Sequence, residues 1–326
     1  MVAFATRRLL LAVVVLLAFS LASFCLFAGE FRSPLSGQPL LAGYWHWLRG
    51  VPTGHSLSTG LMGPILPTLT SALGHTLVLL AVTLLLVVVF GLGLGLVAAA
   101  KRGSILDGLL RGGSYLGWAI PPFLLALLVE ELVARIGGQQ GLGPFPVAGW
   151  AGWCPIPPGL NAGALSCPPA GTGLDYVANV LRSVTLPALT LAVGFIGLQM
   201  RYLRVSLIVA LDAPYTTTAR AKGLPERLVL VRHALRNSLA AFVSALFSDF
   251  GAIFGAALAI DWIFQLNGIG SLFIREVGIN YIDAASFSVD VYAIQALLLA
   301  TALILLASSF VSELAVFVLD PRARPE

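Results

Sequence analysis

Charge is what this sequence has least of. Asp, Glu, Lys and Arg make up 10% of its 326 residues, against about 25% in an average soluble domain. Hydrophobic residues fill 58%, and the mean hydropathy is +0.93. That excess cannot be hidden in one soluble core, so much of the surface must face lipid. Cysteine is scarce too, with three in all, which excludes a disulfide scaffold. Cys154 and Cys167 lie in one polar loop and could pair if that loop is outside the cell, whereas Cys25 lies in an apolar run. Enzyme signatures are missing: there is no Gly-rich phosphate loop ending in Gly-Lys-Ser/Thr, no His-Glu-x-x-His and no Cys pair at zinc spacing. His46 and His55 fall in an outer loop and His75 at the start of a span, where interfacial or solvated roles are expected.

What is present is a series of long apolar runs. A helix needs about 20 mostly apolar residues to cross a bilayer core. Leu9–Ala28, Leu73–Ala100, Gly113–Ala134, Val184–Leu203, Leu239–Ile260 and Tyr292–Val318 meet or approach that length, so six spans are expected. The first is longer than the roughly 7–15 residues of a signal-peptide core, and it reads as a retained span. Pro121 and Pro122 interrupt the third span and Pro187 lies near one end of the fourth. Membrane helices tolerate such kinks where neighbours satisfy the freed carbonyls. The "GLGLG" segment at 91–95 lies inside a span, where small residues permit close helix packing rather than nucleotide binding.

Six spans put both termini and the segments 101–112 and 204–238 on one side. That side holds Arg7, Arg8, Lys101, Arg102, Arg111, Arg201, Arg204, Arg220, Lys222, Arg227, Arg232, Arg236, Arg322 and Arg324, which are 14 of the 19 basic residues. The positive-inside bias makes it cytoplasmic. The outer loops are rich in Gly, Pro and aromatics and too short for a substantial soluble domain. The organisation expected is an N-terminal helix and outer loop (1–72), a membrane domain (73–320) with a cytoplasmic loop at 204–238, and a tail (321–326).

Charges inside spans are costly and often functional. Asp249 falls near the middle of its span and either lines a pathway or bonds a neighbouring helix. Glu313 lies within two turns of the cytoplasmic end, where a structural contact is expected, and Glu130 and Glu131 sit near Arg135 at an outer end.

The densest charge is in "TARAKGLPERLVLVRHALRNSL", residues 218–239. Pro214 suits a helix start, residues 215–222 suit two helical turns, and Gly223 suits a left-handed end. Pro225 suits the first position of a second helix, on which Leu228, Val231 and Leu235 form an apolar stripe, with Arg232 and Arg236 together on another face. Such an element either lies on anionic lipid or docks in a groove of a cytoplasmic protein. The pattern alone leaves the two level.

"TARAKGL" followed by "HALRN" resembles the cytoplasmic loop of ATP-binding-cassette importer permeases of the oligopeptide/dipeptide/nickel branch, and is similar to the wider EAA-x-x-x-Gly motif with Gly223 as its glycine. Further likenesses run in order: "YWHWLRG" (44–50), "AIPPFLLALL" (119–128), "LPALTLA" (186–192) with Arg201 and Arg204, "IDWIFQLNGIG" (260–270), and Glu313 followed by "DPRAR" (320–324). Departures are Thr217, where arginine is usual, "GHSL" at 54–57, and Asn267, where proline is common.

The resemblance implies an all-α integral membrane protein of about six transmembrane helices with the type I importer permease fold, acting as a B-type permease subunit in the bacterial inner membrane. It implies a second homologous permease, two cytoplasmic ATPase subunits that hold the ATP and Mg, and an external substrate-binding protein. No cofactor or nucleic acid is expected on this chain itself, and lipid surrounds it. Tyr215, Thr218, Ala219, Arg220, Ala221, Lys222, Gly223 and Leu224 are the implied ATPase-coupling residues, supported by Arg232, His233, Arg236 and Asn237. The rival expectation is a secondary transporter driven by an ion gradient through Asp249 and Glu313, although no internal repeat of the kind such proteins carry is evident.

Overall fold

A computed structural model describes residues 2–26, 39–51, 58–59, 63–137, 145–146, 148–151, 171–277 and 291–319. Apart from one two-residue antiparallel ladder (Ser58–Thr59 with Gly63–Pro64), its regular structure is helical. The helices are α1 (Val2–Leu26), α2 (Leu40–Gly50), α3 (Ile65–Ala100), α4 (Ile105–Ala119), α5 (Pro122–Gly137) and α6 (Leu174–Leu211). After them come α7 (Pro214–Ala221), α8 (Glu226–Leu228), a π-helical stretch (Val229–Ala234), α9 (Leu235–Ser248), α10 (Phe250–Ile263), α11 (Ile269–Glu276) and α12 (Val291–Leu319). Cys154, Cys167, His55, Arg322 and Arg324 lie outside the described residues.

Among the described residues four helices are long and apolar enough to cross a membrane, and six spans result if each of two bent pairs counts as one. The third expected span is therefore not a straight helix. It is α4 and α5, which meet at 91°, because Pro121 removes a backbone donor and holds the preceding residue, Ile120, extended. Two thirds of the expected cytoplasmic loop 101–112, from Ile105 on, is the first turns of α4. The segment 44–50, expected as outer loop, is helical within α2, which buries Trp47 against Phe24 of α1. The span expected from Leu73 begins at Ile65.

α6 is the axis of the bundle, with α3, α4, α5, α9 and α10 packed around it. Small residues set the spacing. Gly91 and Gly95 of α3 face Gln199 and Leu203 of α6, where a Cβ at Gly95 would come within 2.8 Å of the Leu203 side chain. On the other flank, Gly194 and Gly197 of α6 cross Gly117 and Ser114 of α4, and a Cβ at Gly197 would lie 2.9 Å from the Ser114 Cα. Lipid tails are as apolar as leucine, so close backbone approach of this kind, rather than water exclusion, holds such crossings.

The close crossing brings charged groups together. Ser104 caps α4 by accepting the Asp107 N–H at 3.2 Å, and the Asp107 carboxylate accepts the Gly103 N–H at 3.1 Å, a reciprocal capping arrangement. The same carboxylate, fully buried, receives both Nε (2.6 Å) and Nη2 (2.7 Å) of Arg204 from α6. One turn away, Arg201 donates to the Ser114 hydroxyl at 2.9 Å and lies over the Tyr115 ring.

At the other end of the bundle, the Asp261 carboxylate accepts the N–H groups of Gly268 (2.9 Å) and Ser271 (2.8 Å), and the Thr76 hydroxyl accepts that of Ile269 (2.9 Å). These are the first, otherwise unsatisfied donors of α11. Asn267 there has φ +59°, a value that proline, locked near −65°, cannot adopt. The family's common proline would not fit this turn as it is built. His75, half-buried, stacks on Trp150 and contacts the Asn267 carbonyl at 3.0 Å, so it is more enclosed than an interfacial histidine.

Gly197→Leu is expected to force α4 off α6, at a cost of about 1–3 kcal/mol or more. Thermal denaturation of the detergent-solubilised protein should register an earlier transition. Gly93→Leu, at an exposed position with nothing within 4 Å of its would-be Cβ, is the control expected to leave the transition in place.

Candidate functional site

The final turn of α6 ends at Leu211, and Asp212 and Ala213 lead into α7. A helix end leaves carbonyls without intrahelical partners. Here they are met by α7 itself. The Thr216 hydroxyl, fully buried, sits 2.6 Å from the Ala213 carbonyl, 2.9 Å from that of Leu211 and 3.2 Å from that of Ala210, and shares its one proton among them. Arg220 donates Nη1 to the same Leu211 carbonyl at 3.0 Å. Thr216 and Ala219, three apart, are the two buried residues of α7. The helix is thus fastened by one face to the root of α6.

Its far end is a Schellman closure: Leu224 N–H reaches the Ala219 carbonyl at 3.4 Å and Gly223 N–H that of Arg220 at 2.9 Å. Gly223 has φ +78°, which a side chain resists. Beyond the turn, Glu226 accepts from Arg220 Nε (3.1 Å) and Nη2 (2.7 Å). These hydrogen bonds raise the guanidinium pKa above its ordinary value, against a smaller opposing effect of burial. The pair is surface-exposed and contributes at most about 1 kcal/mol; its use is geometric, holding the two sides of the Gly-Leu-Pro turn together.

Tyr215, Thr218, Arg220, Ala221, Lys222 and Gly223 are exposed. Ala219 is buried and Leu224 half-buried, so these two of the expected coupling residues anchor the element rather than face outward. The second helix differs from expectation. Pro225 precedes its first turn rather than occupying it, and α8 runs through the π stretch into α9 without a break. The wide π turn rotates the faces. Leu228 and Val231, expected in an apolar stripe, are exposed, while Val229 and Ala234 are buried. Arg232, Arg236 and Asn237 are exposed and His233 is half-buried.

Asp249 is not mid-helix; it is the joint between α9 and α10, which bend by 45°. Its carboxylate accepts from Gln199 Nε2 of α6 at 2.9 Å. Glu313 is ion-paired with Arg8 of α1 at 2.7 Å, and Glu131 with Arg135 at 2.6 Å. Among the described residues no group of three His, Cys, Asp or Glu is placed to hold a metal ion. Reading the sequence missed Asp107, Thr216 and Gln199. Ser104-x-x-Asp107 is a legible capping box, whereas nothing in the sequence distinguishes Thr216 from Thr217 and Thr218.

The family model described as "binding-protein-dependent transport system inner membrane component" matches residues 91–325. A Brucella suis biovar 1 protein carrying the name peptide permease is 32% identical over 291 residues, covering 88% of this chain and 81% of that one. The glutathione transport system permease protein GsiC of Escherichia coli K12 is 26% identical, covering 74% and 68%. A chain from a crystal structure of the inward-facing MetNI methionine ABC transporter superposes with a TM-score of 0.56 at 16% identity, over 79% of this chain and 98% of that one, which is a likeness of fold.

Replacing Thr216 with valine removes the hydroxyl shared by three carbonyls, at a cost of about 1–2 kcal/mol confined to this joint. Hydrogen exchange in residues 213–222 should quicken several-fold while the middle of α6 keeps its protection. Equal protection in both proteins would mean that the hydroxyl does not fasten α7.

Proposed function

The chain belongs to the family of binding-protein-dependent transport system inner membrane components, and from that premise we propose how this permease subunit of an ATP-binding-cassette importer works. It is a multi-pass membrane protein whose family implies separate ATPase and substrate-binding partners. In our reading it pairs with a second homologous permease in a bacterial inner membrane, and the two enclose the path. Two cytoplasmic ATPases bind and hydrolyse ATP with Mg, and this chain has no ATPase site or cofactor of its own. An external binding protein delivers the solute. The names of the relatives favour peptides, glutathione being one.

The observation that carries the reading is the fastening of α7. A short helix bonded to the end of α6 through Thr216 and Arg220 cannot move without moving α6, which runs the length of the bundle. Tyr215, Thr218, Ala221 and Lys222 are then the docking face toward an ATPase, and Gly223 with the Arg220–Glu226 clamp fixes its angle. Arg232, His233, Arg236 and Asn237 brace the following helix near the lipid surface. The rival, an ion-driven carrier using Asp249 and Glu313, is disfavoured because Glu313 is held by Arg8.

Gly223→Val forces a branched residue toward φ +78°, a strain of about 1–3 kcal/mol, with no neighbour within 4 Å to clash. The variant should reach the membrane at normal levels. In proteoliposomes containing the whole complex, its ATP-dependent uptake should fall at least severalfold (on the order of tenfold for each ~1.4 kcal/mol that reaches the coupling step). Full uptake at normal abundance would remove α7 from this role.

A further inference from the structure

Resting on the reading that this chain lines a solute path, we propose that Asp249 and Gln199 form a cation subsite within the membrane, one that receives a positively charged ammonium group of the passing solute. The first observation is an unbalanced charge. Glu313, Asp107 and Glu131 each have an arginine, and Asp261 is satisfied by backbone N–H groups. Asp249 has no cationic partner among the described residues, and its hydrogen bond comes from a neutral amide. A carboxylate at membrane depth does not face hydrocarbon; it faces protein or a water-filled cavity.

The second observation is the unpartnered amide. Gln199 is fully buried, and while its Nε2 donates to Asp249, its Oε1 has no hydrogen-bond partner. The unpartnered polar atoms here are all acceptors: an enclosed amide oxygen, which adds negative potential, and the rest of the half-buried carboxylate, which is the part a ligand can touch. Such a set suits a ligand that only donates and carries positive charge, as an ammonium does, and it repels a carboxylate or phosphate.

The third observation is the surface around the joint. From Ser238 onward, beyond the exposed Arg236 and Asn237 in the first turn of α9, the exposed residues of α9 and α10 are Ala241, Ser244, Ser248, Gly251, Ala252 and Gly255. No large hydrophobic residue is exposed on these two helices, whereas α1 exposes Leu9, Leu10, Val14 and Phe19 and α12 exposes Leu303 and Val311. A lipid-facing surface looks like α1. Packing within the chain does not require the glycines to be small, since a Cβ at Gly255 would meet nothing and one at Gly251 only Leu305 at 4.0 Å. Small residues here keep a passage open in front of Asp249. Asp249, at the 45° joint between α9 and α10, is half-buried and adjoins the exposed Ser248 in sequence.

The test has two arms. In a background with Cys25, Cys154 and Cys167 changed to serine, Ser248→Cys is labelled in the assembled complex with a trimethylammonium-bearing methanethiosulfonate and with a sulfonate-bearing one. The ratio of the cationic to the anionic rate should drop about tenfold when Asp249→Asn is added, and persist with Asp249→Glu. An unchanged ratio, or no reaction with either reagent because lipid or the second permease seals the face, overturns the proposal. In the second arm, ATP-dependent uptake of Ala-Ala-Ala into proteoliposomes should fall about tenfold in Asp249→Asn and recover in large part in Asp249→Glu; wild-type uptake in Asp249→Asn also overturns it. If the wild-type complex moves no tripeptide, the peptide reading fails, and the labelling ratio still decides the cation site.

Discussion

A bilayer offers no water to a buried polar group, and this chain is arranged around that constraint. A charged or polar side chain at depth must find its partner within the protein or face a wet passage. The partners found are not neighbours in sequence. Arg204 reaches Asp107 across the α4–α6 crossing, Arg8 reaches Glu313 between the first and last helices, and Gln295 of α12 donates to the Ser23 hydroxyl of α1 at 2.8 Å. Each pairing fixes which helix faces which, something apolar packing in lipid leaves nearly indifferent. The cost of desolvating such a pair is high, so these contacts act chiefly as registration. Removing one partner would strand the other.

Close packing and ion pairing depend on each other along α6. Arg204 meets Asp107 in two hydrogen bonds because Gly194 and Gly197 let α4 approach within backbone contact. The opposite flank of α6 rests on Gly91 and Gly95 of α3. A helix gripped on both sides transmits displacement along its length, and its C-terminal end carries α7. The same helix supplies Gln199 to the Asp249 joint. The proposed docking helix and the proposed cation subsite are therefore two positions on one rigid element. A shift at Thr216 and Leu211 reaches Gln199 through about three turns of unbroken helix.

Much of this was legible in the sequence, and the exceptions have physical causes. Apolar runs marked the spanning segments because hydrocarbon thickness sets a length. Pro214 and Gly223 marked both ends of α7, since each fixes a backbone angle locally. The faces after Pro225 could not be read, because periodicity assumes 3.6 residues per turn and the π stretch Val229–Ala234 violates it. The right-angled bend at Pro121 was legible as a kink but not as an angle. Thr216 could not be singled out among three consecutive threonines. Its importance comes from the carbonyls it faces, which belong to the end of another helix.

From sequence, an acid such as Asp249 within an apolar run is costly, and the cost can be met by a pathway or by an interhelical bond. The structure supplies the bond, to Gln199, yet a single neutral donor does not offset a carboxylate's charge. In the proposed subsite, the exposed small residues beside it supply the wet surface as well. On that proposal a pathway and an interhelical bond are not alternatives: the bond holds the carboxylate, and the open face gives it something to meet. The same logic separates Asp249 from Asp261. Asp261 spends its acceptors on the first donors of α11 and is sealed from solvent, so it organises a turn. Only an acid with acceptor capacity left over and a path to water can bind a passing cation.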